Sequence, residues 1–130
     1  GIFAVCSALD KEFIDQVVAK IRSVGEECIA ETQATKDDIN SLLAHNIPDS
    51  HEGKCLLFCF HKHFHIQNDD GTLDRNGAIK ALEPLKENDQ DVYDTVLKIF
   101  STCADEAATD ADPCIYSSNL ADCALREGKA

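Results

Sequence analysis

The amino-acid sequence predicts an all-α protein, a compact array of six to seven short helices around an apolar cavity, and three observations carry that reading. Apolar residues recur at helical spacing in one stretch after another, and alternation of period two never lasts more than a few positions. Start signals stand ahead of several stretches, at Thr35, Asp74, Asn88 or Asp89, and Asp112. Two cysteines, Cys55 and Cys59, sit four apart inside the apolar run from Lys54 to Phe60, so both sulfurs leave one helix face a turn apart. Helical geometry keeps that pair from bonding to each other without strain, so in an oxidised chain each must reach a different distant segment.

Composition bounds the rest. A chain of 130 residues with 44% apolar content supports one core. Seven cysteines with no Met and no Trp is disulfide usage, and six of them are spread along the chain rather than clustered as zinc-ribbon pairs. This favours an oxidising, extracellular compartment, and hence a secreted protein. A formal charge of −12 and a pI near 4.6 argue against nucleic acid or an anionic membrane surface as partner. No apolar run is long enough to span a bilayer.

Taken in order, residues 1–9 are an N-terminal arm or signal-peptide remnant, and residues 10–130 a single helical domain. The first residues are apolar and end in small side chains. They are either the tail of a secretory signal, with Cys6 and Ala8 where signal peptidase reads, or a mature arm. Cys6 is the odd cysteine: if it is retained, one thiol is free or links two chains into a homodimer. From Asp10 to Val24, Phe13, Ile14, Val17, Val18, Ile21 and Val24 form an apolar stripe opposite Lys11, Glu12, Lys20 and Arg22. Gly25 is expected to interrupt this helix, leaving a second piece from Glu26 to Thr32 that carries Cys28.

Thr35 with Asp38 three residues on reads as a capped helix start, stopped near Asn46 to Pro48. The double-cysteine helix follows Ser50 and is expected to run to about Ile66, where residues 67–71 form a turn cluster. Asp74 caps a helix through Leu82 that Pro84 closes. Asn88 or Asp89 begins another, with Val92, Val96, Ile99, Phe100 and Cys103 on one stripe. Asp112 with Pro113 opens the last, holding Cys114, Ile115, Leu120 and Cys123. Short helices crossing at varied angles pack imperfectly, and bridges closing long loops supply constraint of roughly 3 to 4 kcal/mol each in the chain-entropy model. A covalently held frame tolerates an internal void that packing alone would not.

The gaps between Cys28, Cys55, Cys59, Cys103, Cys114 and Cys123 are 26, 3, 43, 10 and 8 residues. This spacing resembles that of the insect odorant-binding proteins, of the pheromone-binding and general odorant-binding type. The specific parts are the gap of three within one helix and the gap of eight at the end. The turn from Asn68 to Asp74 and the closing helix after Pro113 agree as well. The resemblance, not the spacing, implies three interlocked disulfides: Cys28 with Cys59, Cys55 with Cys114, and Cys103 with Cys123. Sequence alone leaves many other pairings open. It further implies a secreted, non-enzymatic carrier without cofactor, which binds small hydrophobic odorants or pheromones and takes them through aqueous sensory lymph. A membrane odorant receptor would stand downstream. The alternative on the same fold is a non-olfactory scavenger of lipids or other small ligands.

Cavity residues are expected on the converging apolar faces: Val17, Ile21, Leu57, Phe60, Phe64, Ile79, Leu82, Val92, Val96, Ile99, Phe100 and Ile115. For each of them ordinary core packing is the competing reading. Tyr93 or Tyr116 could place a hydroxyl on an alcohol, aldehyde or ester head group. The tail after Cys123 is too short and charged to fold into the cavity.

Other chemistry is poorly supported. Asn68, Asp70, Thr72 and Asp74 sit at calcium-loop spacing, but Ile66 and Gly77 occupy the first and twelfth positions, where carboxylates belong. His51, His61, His63 and His65 allow a zinc site geometrically, yet oxidised cysteines cannot ligate, so no metal is expected. These imidazoles are instead candidates for loosening the cavity in acid. No Gly-x-Ser-x-Gly elbow is present.

Overall fold

The computed structural model describes residues 9–129, which places Cys6, its proposed dimer link and the rest of the first eight residues outside the described chain. Among the described residues there are seven helices: α1 Lys11–Thr32, α2 Lys36–Leu43, α3 His51–His63, α4 Arg75–Ala81, α5 Glu83–Asn88, α6 Gln90–Glu106 and α7 Pro113–Lys129. An isolated antiparallel bridge between Gln67 and Leu73 closes the turn ahead of α4.

The caps form as the sequence predicts. Thr35 accepts from the Asp38 amide while the Asp38 carboxylate takes the Thr35 amide, a reciprocal capping box at the start of α2. Ser50 caps α3, Asp74 caps α4 and Asp89 caps α6, each accepting from the amide three residues on. Asp112 accepts from the Cys114 amide at 2.8 Å, and Pro113 occupies the first helical position, where its missing N–H costs nothing.

Three boundaries differ from expectation, each because contacts outweigh a local signal. α1 runs through Gly25 as one helix of 22 residues. A glycine inside a helix costs only about 1 kcal/mol, and Val24 and Cys28 on either side are both buried against α3. α3 ends at His63 rather than Ile66: His65 turns into the left-handed region, and the Ile66 and Gln67 amides return to the His61 carbonyl. Pro84 does not stop helical structure. It sits in the first turn of α5, where proline is tolerated.

α3 is the central element, lying between α1 on one side and α7 on the other. Its Leu56 and Cys59 form the buried core with Val24, Cys28 and Ala34, and Ile29, Ile39, Leu42, Phe60 and Phe64 pack around them. Gly53 lets α3 approach closely: a Cβ there would lie 2.4 Å from Pro48 and 2.8 Å from the Asp38 carboxylate. The remaining packings continue from α7 to α6, from α6 to α5, and from α5 to α4. The Asp10 amide then donates to Asn88 at the end of α5, at 3.2 Å, which returns the circuit to the start of α1. Three disulfides lock it: Cys28–Cys59 joins α1 to α3, Cys55–Cys114 joins α3 to α7, and Cys103–Cys123 joins α6 to α7. These are the pairs the resemblance implied.

Candidate functional site

The inward stripe of α1 is closed at one end and open at the other. Val24 and Cys28 are buried, whereas Val17 and Ile21, on the same stripe two turns earlier, keep 39% and 45% of their surface accessible. Ile79 of α4 is similarly open at 39%. The other expected cavity residues are half-buried or buried. Phe60, Phe64, Leu82, Val96, Ile99, Phe100 and Ile115 are half-buried, while Leu57, Val92, Tyr93 and Tyr116 are buried. Phe60 and Phe64 stack with ring centroids 6.3 Å apart, and Lys20 of α1 lies over the Phe64 ring at 5.5 Å. The Tyr93 ring carries Lys86 at 5.5 Å. Neither tyrosine hydroxyl has a hydrogen-bond partner among the described residues.

A polar network that sequence reasoning did not anticipate lies where α3 meets α7. Gln67 donates its amide to the Gly71 carbonyl at 3.0 Å, so its oxygen faces His61 Nδ1 at 2.8 Å and can only accept. The Nδ1 proton of His61 is therefore shared between Gln67 and the hydroxyl of fully buried Ser117, 2.7 Å away. Burial holds His61 below its ordinary value of 6.5, against the opposing pull of the Gln67 hydrogen bond. Ser117 faces a nitrogen that already carries a proton, so this pair cannot work as nucleophile and base. The turn itself is pinned by Gly71, whose φ of +91° suits glycine and whose Cβ position would lie 2.6 Å from Pro113.

The other histidines go to separate partners. His51 Nε2 meets Asp112 at 2.8 Å, His63 lies 3.8 Å from Glu27, and His65 is exposed. Two groups of potential ligands come together among the described residues, Cys28 with Cys59 and His63, and His51 with Cys55 and Cys114. Each contains a disulfide, whose sulfurs have no thiolate to offer. Around Gly71, Asp70 accepts from the amide and hydroxyl of Thr72, which lowers its pKa and spends it on the turn.

A surface pocket of about 300 Å³ opens between the end of α1, one face of α3 from His51 to Lys62, and the start of α7. It is lined by Glu31, Thr32, His51, Glu52, Cys55, Phe58, Cys59, Lys62 and Cys114, and shares no residue with the expected ligand set. Lys62 bridges its rim, 3.9 Å from Glu31 and 4.7 Å above the Phe58 ring.

A circuit of short helices with three overlapping disulfide loops and accessible apolar faces defines a class of small helical ligand-binding proteins. The comparisons place it within that class: residues 10–127 match the PBP/GOBP family, and the chain belongs to that family of insect odorant-binding proteins. Its members are non-enzymatic and bind small hydrophobic ligands. The chain is 29% identical over 106 residues to general odorant-binding protein 19d of Drosophila melanogaster, a match covering 82% of this chain and 70% of the relative. The structure of Drosophila melanogaster odorant-binding protein 28a superposes with a TM-score of 0.72 at 26% identity, covering 88% of this chain and 93% of that one. A pheromone-binding protein of the cockroach Leucophaea maderae, crystallised with the fluorescent reporter 1-anilinonaphthalene-8-sulfonic acid, has the same fold. Its TM-score is 0.63 at 23% identity, over 82% of this chain and 90% of that one.

Proposed function

We propose that this protein is a secreted carrier that takes up small hydrophobic odorants or pheromones between its converging helices and moves them through aqueous sensory lymph. The observation that supports this best is the open half of the α1 stripe. Val17 and Ile21 belong to a face that the amphipathic pattern directs inward, yet they are not covered as Val24 and Cys28 are. Accessible apolar surface on an inward face is what an unfilled interior leaves, and a frame tied at three points can bear that cost. The membership of the chain in the PBP/GOBP family and the reporter seated in the cockroach relative point the same way.

In this reading the ligand is held mainly by aliphatic and phenylalanine shape, since the chain has neither Met nor Trp. Tyr93 or Tyr116, each with a hydroxyl free of partners among the described residues, donates to an alcohol, aldehyde or ester oxygen. The test is titration with a neutral apolar fluorophore such as N-phenyl-1-naphthylamine, followed by displacement with volatile alcohols and esters of about ten carbons. Saturable binding in roughly the micromolar range, reversed by the volatiles, is the expected result. Fluorescence that no volatile displaces would defeat the carrier reading.

A further inference from the structure

The three disulfides differ in how they meet solvent. Cys28, Cys59, Cys103, Cys114 and Cys123 are buried, whereas Cys55 is half-buried and lines the surface pocket together with Cys114. Beside it stands an exposed histidine in a defined orientation. His51 Nε2 is held by the Asp112 carboxylate at 2.8 Å, and Cys55 Sγ lies beside the ring, 3.6 Å from Nδ1 and 3.9 Å from Nε2. When Nε2 carries the proton that Asp112 accepts, Nδ1 is left unprotonated next to the bridge, where it can take a proton from a thiol arriving at Cys55. The only other bridge at this pocket is guarded differently: a Glu31 carboxylate oxygen lies 3.2 Å from Cys59 Sγ, where it repels an incoming thiolate.

We propose that Cys55 is a thiol-modification site, at which a small neutral or cationic thiol opens the Cys55–Cys114 bridge with His51 as the base. The thiol gives its proton to His51 Nδ1, and its sulfur attacks Cys55 Sγ. A new disulfide forms between the thiol and Cys55, the bond to Cys114 breaks, and the departing Cys114 thiolate takes the proton back from the imidazolium. Two electrons are exchanged between sulfurs and no further oxidant or reductant is needed. The charge preference follows from the surroundings. Glu31 from α1 and Glu52 from α3 line the pocket, and Asp112 ahead of α7 pairs with its His51, against Lys62 and His51 themselves, on a protein of net charge −12. The product unclasps α3 from the start of α7, while Cys28–Cys59 and Cys103–Cys123 keep the chain tied.

The experiment uses the native oxidised protein, exposed to cysteamine or to glutathione at matched thiolate concentration, then quenched with N-ethylmaleimide and mapped by peptide mass spectrometry. The expected first product carries the thiol on Cys55 and the maleimide on Cys114. Cysteamine should act faster than glutathione. His51→Gln, which can still donate to Asp112 on the surface, should slow opening by about tenfold near neutral pH with an unchanged melting temperature. First labelling at another bridge, the adduct on Cys114, or an unchanged rate in His51→Gln would overturn the site. Faster opening by glutathione would overturn the class of thiol.

Discussion

His61 shows how one side chain couples three segments that are separate in sequence. Its Nδ1 proton ties α3 to Gln67 in the following turn and to Ser117 of α7, and burial favours the neutral ring. The consequence for stability has a definite sign. The unfolded chain takes up a proton as pH falls through about 6.5, while the folded chain resists it until lower pH. His61 therefore supports the fold fully above that value, and its contribution drains away as pH falls from there toward the folded value. Urea midpoints measured from about pH 7.5 down to about pH 5 should decline in the native protein and flatten in His61→Gln. Equal slopes in the two proteins would refute this role. A second acid transition belongs to Asp38 and Asp112, whose carboxylates are lowered chiefly by hydrogen bonds from Ser50 and His51. Their support is present above the ordinary 3.8 and is lost as pH falls below it. In the sequence His61 looked like one of four comparable histidines. Nothing local distinguishes it, because its partners lie in other elements.

At the scale of elements, the informative case is α1. Its apolar stripe is continuous in sequence, so periodicity assigns Val17, Ile21, Val24 and Cys28 one common face. Periodicity does not say what that face meets. α3 covers the second half, where Leu56 and Cys59 pack on Val24 and Cys28, and leaves the first half accessible. If that accessible surface borders the ligand, a larger side chain there takes ligand volume instead of disturbing packing. Ile21→Trp should weaken binding of the longer volatiles by about tenfold, with short ones and the melting temperature little changed. A loss of stability of about 2 kcal/mol or more would instead mean that Ile21 is ordinary core. The same lesson applies to Pro84 and Gly25. Both are helix punctuation by local rule, yet both sit inside or at the start of helices because packing and position in the first turn outweigh their intrinsic cost.

For the whole molecule, the bridges matter through the loops they close. The bonded cysteines are 31, 59 and 20 residues apart, and the three spans overlap, so no segment between Cys28 and Cys123 escapes covalent restraint. In the chain-entropy model even the shortest span contributes about 3 kcal/mol. Replacing Cys103 and Cys123 together by Ala should lower unfolding free energy by about that amount, and should do so mainly by releasing α6 from α7. Urea denaturation of the double variant measures it, and a difference within about 0.5 kcal/mol of the native protein would show that helix packing alone holds this corner.

Helix type, order and most starting points were legible in the residues, because caps and periodicity act over a turn or two of chain. The cysteine count and the one-face placement of Cys55 and Cys59 likewise required a framework of long-range bridges. Tertiary structure decided the rest: where the α1 stripe is sealed and where it stays open, which histidine is tied to partners in two other segments, and which half-buried cysteine lines the surface pocket. Those outcomes depend on what a distant segment brings alongside, and a short window of sequence holds no information about its neighbour across the fold.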